Sequence, residues 1–190
     1  MRGVQRFLLS MLVVATGAAQ ASEPFPWPGG RKAAVSLAYD DAIASQLDHA
    51  IPALDRHGLK GSFYLTLASD TLRTRQREWI AAARNGHELG NHTLFHQCSA
   101  SQPDRAWVEP HRDLDTTTVA QMVDQVRLAN AMLAALDGRS ERTMTVPCGD
   151  TQARDGNYID AVAADFVAIK LGQGGVIEDM AGVDPAAVPV

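Results

Sequence analysis

Short apolar runs alternate along this chain with longer stretches of helical spacing, and that alternation leaves few folds open. Residues 33–39 (AAVSLAY) and 62–67 (SFYLTL) suit strands, the second through its aromatic and β-branched content. Between them Ile43, Leu47, Ala50, Ile51 and Leu54 recur at helical spacing, and Gly58 supplies a C-terminal stop. A second helix is expected over 71–84, capped by Ser69 or Asp70 and ended by Asn85 and Gly86. A strand over 87–90, a helix over 116–136, a strand over 142–146, a helix over 153–164 and a strand over 166–170 continue the pattern. Strand–helix–strand order of this kind predicts a parallel sheet with crossover helices. Residues 97–115 interrupt it with a polar connection containing Pro103 and Pro110. There Trp107, His111 and Arg112 either touch a ligand or belong to an ordinary surface insertion. Five strands do not close an eight-stranded barrel, and Val188, Pro189 and Val190 bring no element to seal the sheet edge. A natural chain continuing past Val190 is therefore expected.

The first 21 residues stand apart from this unit. Arg2 and Arg6 make a basic start, residues 7–15 are an apolar run too short to span a bilayer, and Ala19-Gln20-Ala21 is a small-x-small cleavage site. The expected organisation is a signal peptide over 1–21 and one domain over 22–190, in a periplasmic or secreted protein with no membrane span after cleavage. The whole chain carries 17 Lys and Arg against 22 Asp and Glu; losing Arg2 and Arg6 takes the net charge from −5 to about −7. No basic stripe is present, which argues against nucleic acid or an anionic membrane as partner and suits a neutral ligand better. Export also bears on Cys98 and Cys148. An even count in an oxidising compartment favours a disulfide between them, the alternative being two buried thiols that never meet.

The most polar marks fall just past the ends of predicted strands, where open and barrel α/β folds carry their chemistry. Asp40 and Asp41 follow the first strand, His92 and His96 the third, and Cys148-Gly149-Asp150 the fourth. Two histidines four apart share one side if the segment turns helically. With one aspartate they make three ligands and leave a position open for water, the pattern of a catalytic zinc site. The other aspartate can then take a proton from that water. A helix N-cap accounts for one of the acids but less well for two in succession. A metalloprotease is set aside, because His92 is followed by Thr93 rather than glutamate, and His87-Glu88 has no histidine four residues after His87.

Ser36-Leu37-Ala38-Tyr39-Asp40-Asp41 resembles the first motif of polysaccharide deacetylases, the NodB-homology group of carbohydrate esterases. Asn91-His92-Thr93-Leu94-Phe95-His96 resembles their second motif, H-[ST]-x-x-H, and the likeness extends over residues 33–170. The resemblance implies a distorted (β/α) barrel, here incomplete and C-terminally truncated, and metal-dependent removal of acetyl groups from N-acetylated glycans. Carried over, Asp41, His92 and His96 hold Zn2+ or another divalent transition metal, Asp40 is the general base, and Thr93 supports the histidine loop by hydrogen bonding. The Cys148 backbone N–H serves the oxyanion. Two departures stand out. The family's third motif, Arg-x-Pro-Tyr, reads Thr145-Val146-Pro147-Cys148 here, so Asp40 lacks its usual orienting arginine, and Arg142 is nearby but out of place. The last motif supplies a histidine to the leaving amine, whereas His111 is the final histidine here. An O-acetyl esterase and a non-catalytic metal- or glycan-binding relative are the alternatives.

Overall fold

The computed structural model describes residues 25–172 and 174–189. The expected signal segment, 1–21, lies outside them. Strand β1 (Ala38–Asp40) leads through a π-wound turn, Gln46–Ala50, into α1 (Ile51–Arg56). Strand β2 (Ser62–Leu65) is followed by α2 (Asp70–Thr74) and α3 (Gln76–Arg84), and then by β3 (Glu88–Asn91). After the 97–115 connection comes α4 (Val119–Asp137), held at its start by a capping box between Thr118 and Gln121 and stopped by Gly138 in the left-handed conformation. Strand β4 (Thr143–Thr145), a two-stranded hairpin β5 (Gln152–Ala153) and β6 (Gly156–Asn157), α5 (Ile159–Val162), β7 (Ala168–Gly172) and β8 (Val188–Pro189) complete it. The main sheet runs β1-β2-β3-β4-β7-β8, every neighbouring pair parallel. Among the described residues no helix is long and apolar enough to cross a membrane.

Four expectations need correction. The apolar run 33–39 is not a buried strand: only its end pairs, because β1 is the sheet's edge, and Val35 is 83% exposed. The helix over 71–84 breaks at Arg75, which leaves helical geometry while its guanidinium bridges Asp48 and Glu78. The helix over 153–164 survives only from Ile159; before it, Arg154 and Asp155 make the turn of the β5–β6 hairpin, and Gly156 opens β6 opposite Ala153. Gly156 takes φ 155 there, and the Asp155 carboxylate accepts from Val119 N–H at the start of α4, an attraction that local helix propensity does not register. Last, Val188–Pro189 pairs with β7, so the final residues do cover a sheet edge and the strands of that sheet number six.

The sheet is apolar on the side its helices cover and polar on the other. Alternation sends Phe63, Leu65, Leu89, Met144 and Ile169 outward, all at most 1% exposed, against Trp79, Leu133, Val126 and Val162 from the helices. Each such side chain contributes about 1.5–3 kcal/mol when fully buried. In-register partners on the inner face are Asp40, Tyr64 and Gly90, flanked by Ser62, Glu88, Thr143 and Lys170. Glu88 accepts from the Ser62 and Thr143 hydroxyls, and Thr143 Oγ1 lies 3.3 Å from Tyr64 Oη. Lys170 Nζ reaches Asp40 at 3.1 and 3.2 Å, although β7 and β1 are four strand spacings apart, about 19 Å in a flat sheet. The sheet therefore curls into part of a barrel around this polar face.

The curl depends on a bare position. A Cβ on Gly90 would lie 2.4 Å from the Tyr64 ring, which is itself buried and has Lys170 Nζ 4.8 Å from its centroid. Gly90→Ala is expected to cost about 1–3 kcal/mol of overpacking, read as a lower urea midpoint. An unchanged midpoint would mean that Tyr64 moves aside freely.

Candidate metal centre

Asp41 follows β1 directly, in a turn where Asp41 and Ala42 both have positive φ, 80° and 58°. Such a turn is strained for residues with a Cβ and needs outside support. The buried Ala42 carbonyl receives it, accepting from the Ser69 and Thr71 hydroxyls, with Trp79 Nε1 donating in turn to Thr71. The histidine segment is built the same way. Asn91, at the end of β3, donates to Val126 O at 3.0 Å and to Asn130 Oδ1 at 2.7 Å, and accepts from Thr93 N–H at 2.7 Å. Thr93 Oγ1 accepts from His96 N–H at 3.0 Å. The pair is not on a helical turn: left-handed Thr93 and His96, φ 62° and 56°, bring the two rings to 4.8 Å instead. Among the described residues six non-glycine positions have positive φ, and five of them (Asp41, Ala42, Thr93, His96 and Cys148) surround this site.

His92 Nε2 and His96 Nε2 each lie 3.3 Å from the same Asp41 oxygen. The His92 Nδ1 sits 2.8 Å from Thr145 O, and a carbonyl can only accept, so Nδ1 carries the hydrogen in the neutral ring. The Nε2 lone pair then faces a carboxylate, which is repulsive unless a cation lies between them. Donor atoms held at about 2.0–2.2 Å from a tetrahedral ion are about 3.3–3.6 Å apart, and both nitrogen–oxygen separations, at 3.3 Å, have that spacing. The three side chains therefore suit a divalent ion by donor type and separation, and the backbone partner of His92 is the outer-shell bond such a ligand needs. Were the rings instead protonated on Nε2, hydrogen bonds from His92 and then from His96 would hold the Asp41 carboxyl well below the usual carboxylate range, against the opposing effect of burial.

Asp40, next to Asp41 in the chain, has Lys170 on its carboxylate, the lysine side chain only 13% exposed. Lys170 escaped notice in the sequence. Its signal was a charged residue closing an otherwise apolar strand. It lies in register with Thr145, the position at which the family resemblance calls for arginine, so a cation reaches Asp40 from the neighbouring strand. Arg142 is occupied elsewhere, on Asp137 and Leu89 O at the start of β4. Cys98 and Cys148 form a disulfide with Cα atoms 5.9 Å apart, their sulfurs within 4.8 Å of a His96 nitrogen. This ties the histidine segment to the Pro147–Gly149 turn that carries the Cys148 N–H. Of the three residues left open in the 97–115 connection, Trp107 stands next to His96, ring centroids 6.4 Å apart. His111 and Arg112 lean on Glu109.

The profile of the polysaccharide deacetylase family matches residues 28–165, and the chain belongs to that family. No curated protein matches it. Its fold is similar to that of a polysaccharide deacetylase from Bacillus cereus (TM-score 0.52, 16% identity, 73% of this chain and 59% of that one). IcaB from Ammonifex degensii gives TM-score 0.55 at 16% identity, covering 71% and 58%. A CE4-family pseudoenzyme from Bacillus anthracis gives 0.51 at 18%, covering 70% and 41%. The chain thus spans about half the length of these structures, and at such identity they establish the curled half-barrel alone.

Proposed function

We propose that this domain removes acetyl groups from an acetylated polysaccharide, using Zn2+ held by Asp41, His92 and His96. The observation that carries the reading is the convergence of two imidazole nitrogens on one Asp41 oxygen, with Asp40 the preceding residue in the chain. A divalent ion bound there supplies Lewis acidity, activating water and polarising an acetyl carbonyl. Asp40 receives the proton from the attacking water at its carboxylate. Lys170 keeps that carboxylate turned toward the centre and so takes the place of the absent arginine. The Cys148 N–H is offered to the acetyl oxygen as negative charge grows on it, and the disulfide keeps that turn fixed beside His96. Residues 1–21 and the disulfide together support a periplasmic or secreted location.

Elemental analysis of the purified protein tests the centre, with close to one zinc per chain expected. Acetate release from N-acetylglucosamine oligomers tests the activity. Zinc retained without acetate release from these or from acetylated xylan would instead favour a non-catalytic relative, a role already represented among the similar folds. Lys170→Met is expected to keep the metal and to lower kcat by about 100-fold, since a misplaced base costs that much, while Lys170→Arg recovers most of it. Equal kcat in Lys170→Met and wild type would remove Lys170 from the mechanism.

A further inference from the structure

Residues 97–115 are long enough to be floppy, yet they fold back on themselves and are pinned at several points. Cys98 bridges to Asp113 as an isolated strand pair, with Leu114 N–H donating to Cys98 O at 3.0 Å. The Asp113 carboxylate accepts from Ala100 and Asp115 N–H at 3.0 and 2.9 Å, and Asp115 accepts from Ser101 N–H at 2.8 Å. Asp150, just past the Cys148 turn, accepts from Ser99 N–H at 2.9 Å. The disulfide adds a covalent tie.

This braced loop holds out one large aromatic side chain, Trp107, at 57% exposure. Arg105 lies 5.8 Å from its ring centroid and is anchored in turn, 3.5 Å from Cys148 O and 3.8 Å from the Asp150 carboxylate. The indole is thereby fixed with respect to the oxyanion turn as well as to His96. Beside it opens a cleft of about 310 Å3 lined by Phe95, His96, Trp107, Val108, Glu109 and Arg112. Its lining combines three aromatic rings with one carboxylate and one guanidinium.

We infer that this cleft is a sugar subsite, in which the indole of Trp107 stacks on the C–H face of the pyranose neighbouring the one whose acetyl group meets the metal centre. The inference rests on the proposed deacetylase reading and specifies its substrate as a neutral oligosaccharide chain rather than a single sugar. A pyranose has one face of C–H bonds and an equatorial belt of hydroxyls, which suits a lining of aromatic rings and charged groups together. An indole held rigid beforehand loses little freedom on binding, and the loop's internal bonds provide that rigidity. The side chain itself lacks burial that would give it a role in the core.

Calorimetric titration of the purified protein with a neutral N-acetylglucosamine pentamer, with zinc present and again after chelation, reads the subsite without depending on turnover. Trp107→Ala is expected to weaken binding about tenfold, and Trp107→Phe to stay within about threefold of wild type, because a smaller aromatic ring still stacks. Zinc content should equal that of wild type in both variants. Pentamer affinity unchanged in Trp107→Ala overturns the inference, as does a wild-type protein that fails to bind the pentamer at all. Acetate release by wild type, together with unchanged Trp107→Ala affinity, sinks the subsite and spares the deacetylase reading. Trp107-dependent binding without acetate release does the reverse.

Discussion

Replacing Asp41 by alanine is expected to weaken divalent-metal affinity by more than about 100-fold, since even the loss of an outer-shell partner costs 10–100-fold. The carboxylate is the only anion offered to the ion by this trio, and without it two neutral imidazoles remain. His92→Ala should do the same, and it also frees Thr145 O from its partner. Asp41 sits at φ 80°, so Asp41→Asn is the cleaner companion variant: asparagine tolerates left-handed backbone, which keeps the turn while removing the charge. Asp40→Asn is expected to behave oppositely, retaining the metal and losing about 10²–10⁴ in kcat as the proton acceptor disappears. Metal content after dialysis decides the matter. Equal zinc in His92→Ala and wild type would remove the ligand assignment.

Arg142→Met is expected to destabilise the fold by about 3–5 kcal/mol, the cost of stranding one partner of a buried ion pair. The guanidinium binds both Asp137 oxygens, and it donates to Leu89 O and Arg139 O; the side chains of the pair are 3% and 1% exposed. It thus joins the end of α4 to β3 at the N-terminal ends of the central strands, the rim opposite the metal centre. Arg142→Met with Asp137→Leu should recover part of the loss, because no charge is then left buried. The pair also makes a pH signature. Burial pushes the Asp137 carboxyl up, but Arg142 and the Arg139 N–H together outweigh it, and the group ends below its ordinary value of 3.8. Its stabilisation is therefore complete above that value and is lost as pH falls through the lower, folded one. Urea midpoints from pH 7 to pH 2 should show wild type losing its advantage over Arg142→Met below about pH 4. A gap that stays constant across the range would mean that Asp137 is not held ionised by Arg142.

Much of this could be read from residue order because it is local. Where the apolar pattern is long, as in α4 with its Thr118–Gln121 box and Gly138 stop, the helix lies close to where spacing puts it. Placement of Asp41, His92 and His96 just past strand ends, and of Asp40 as the last residue of β1 rather than beyond it, followed from parallel topology, which brings all strand ends to one rim. The route by which the histidines meet did not follow. Four-residue spacing pointed to a helical turn, whereas Asn91 bonding to α4 and two left-handed residues do the work. The β5–β6 hairpin was also missed, although Asp155-Gly156 is a turn signal, because apolar residues on both sides fit a helical period equally well.

From its sequence alone this chain set its alternation of strands and helices, the two acids, the histidine pair and the cysteine pair, since each depends on residues adjacent in the chain or on strand polarity. The tertiary structure alone decided that the sheet curls with its polar face inward and that Arg142 braces the N-terminal rim of its central strands. It also decided that Lys170, 130 residues from Asp40, closes on it. Contacts of that span are set by the twist and packing of the whole sheet, because the ammonium can reach the carboxylate only once five strands have bent the chain's two ends together.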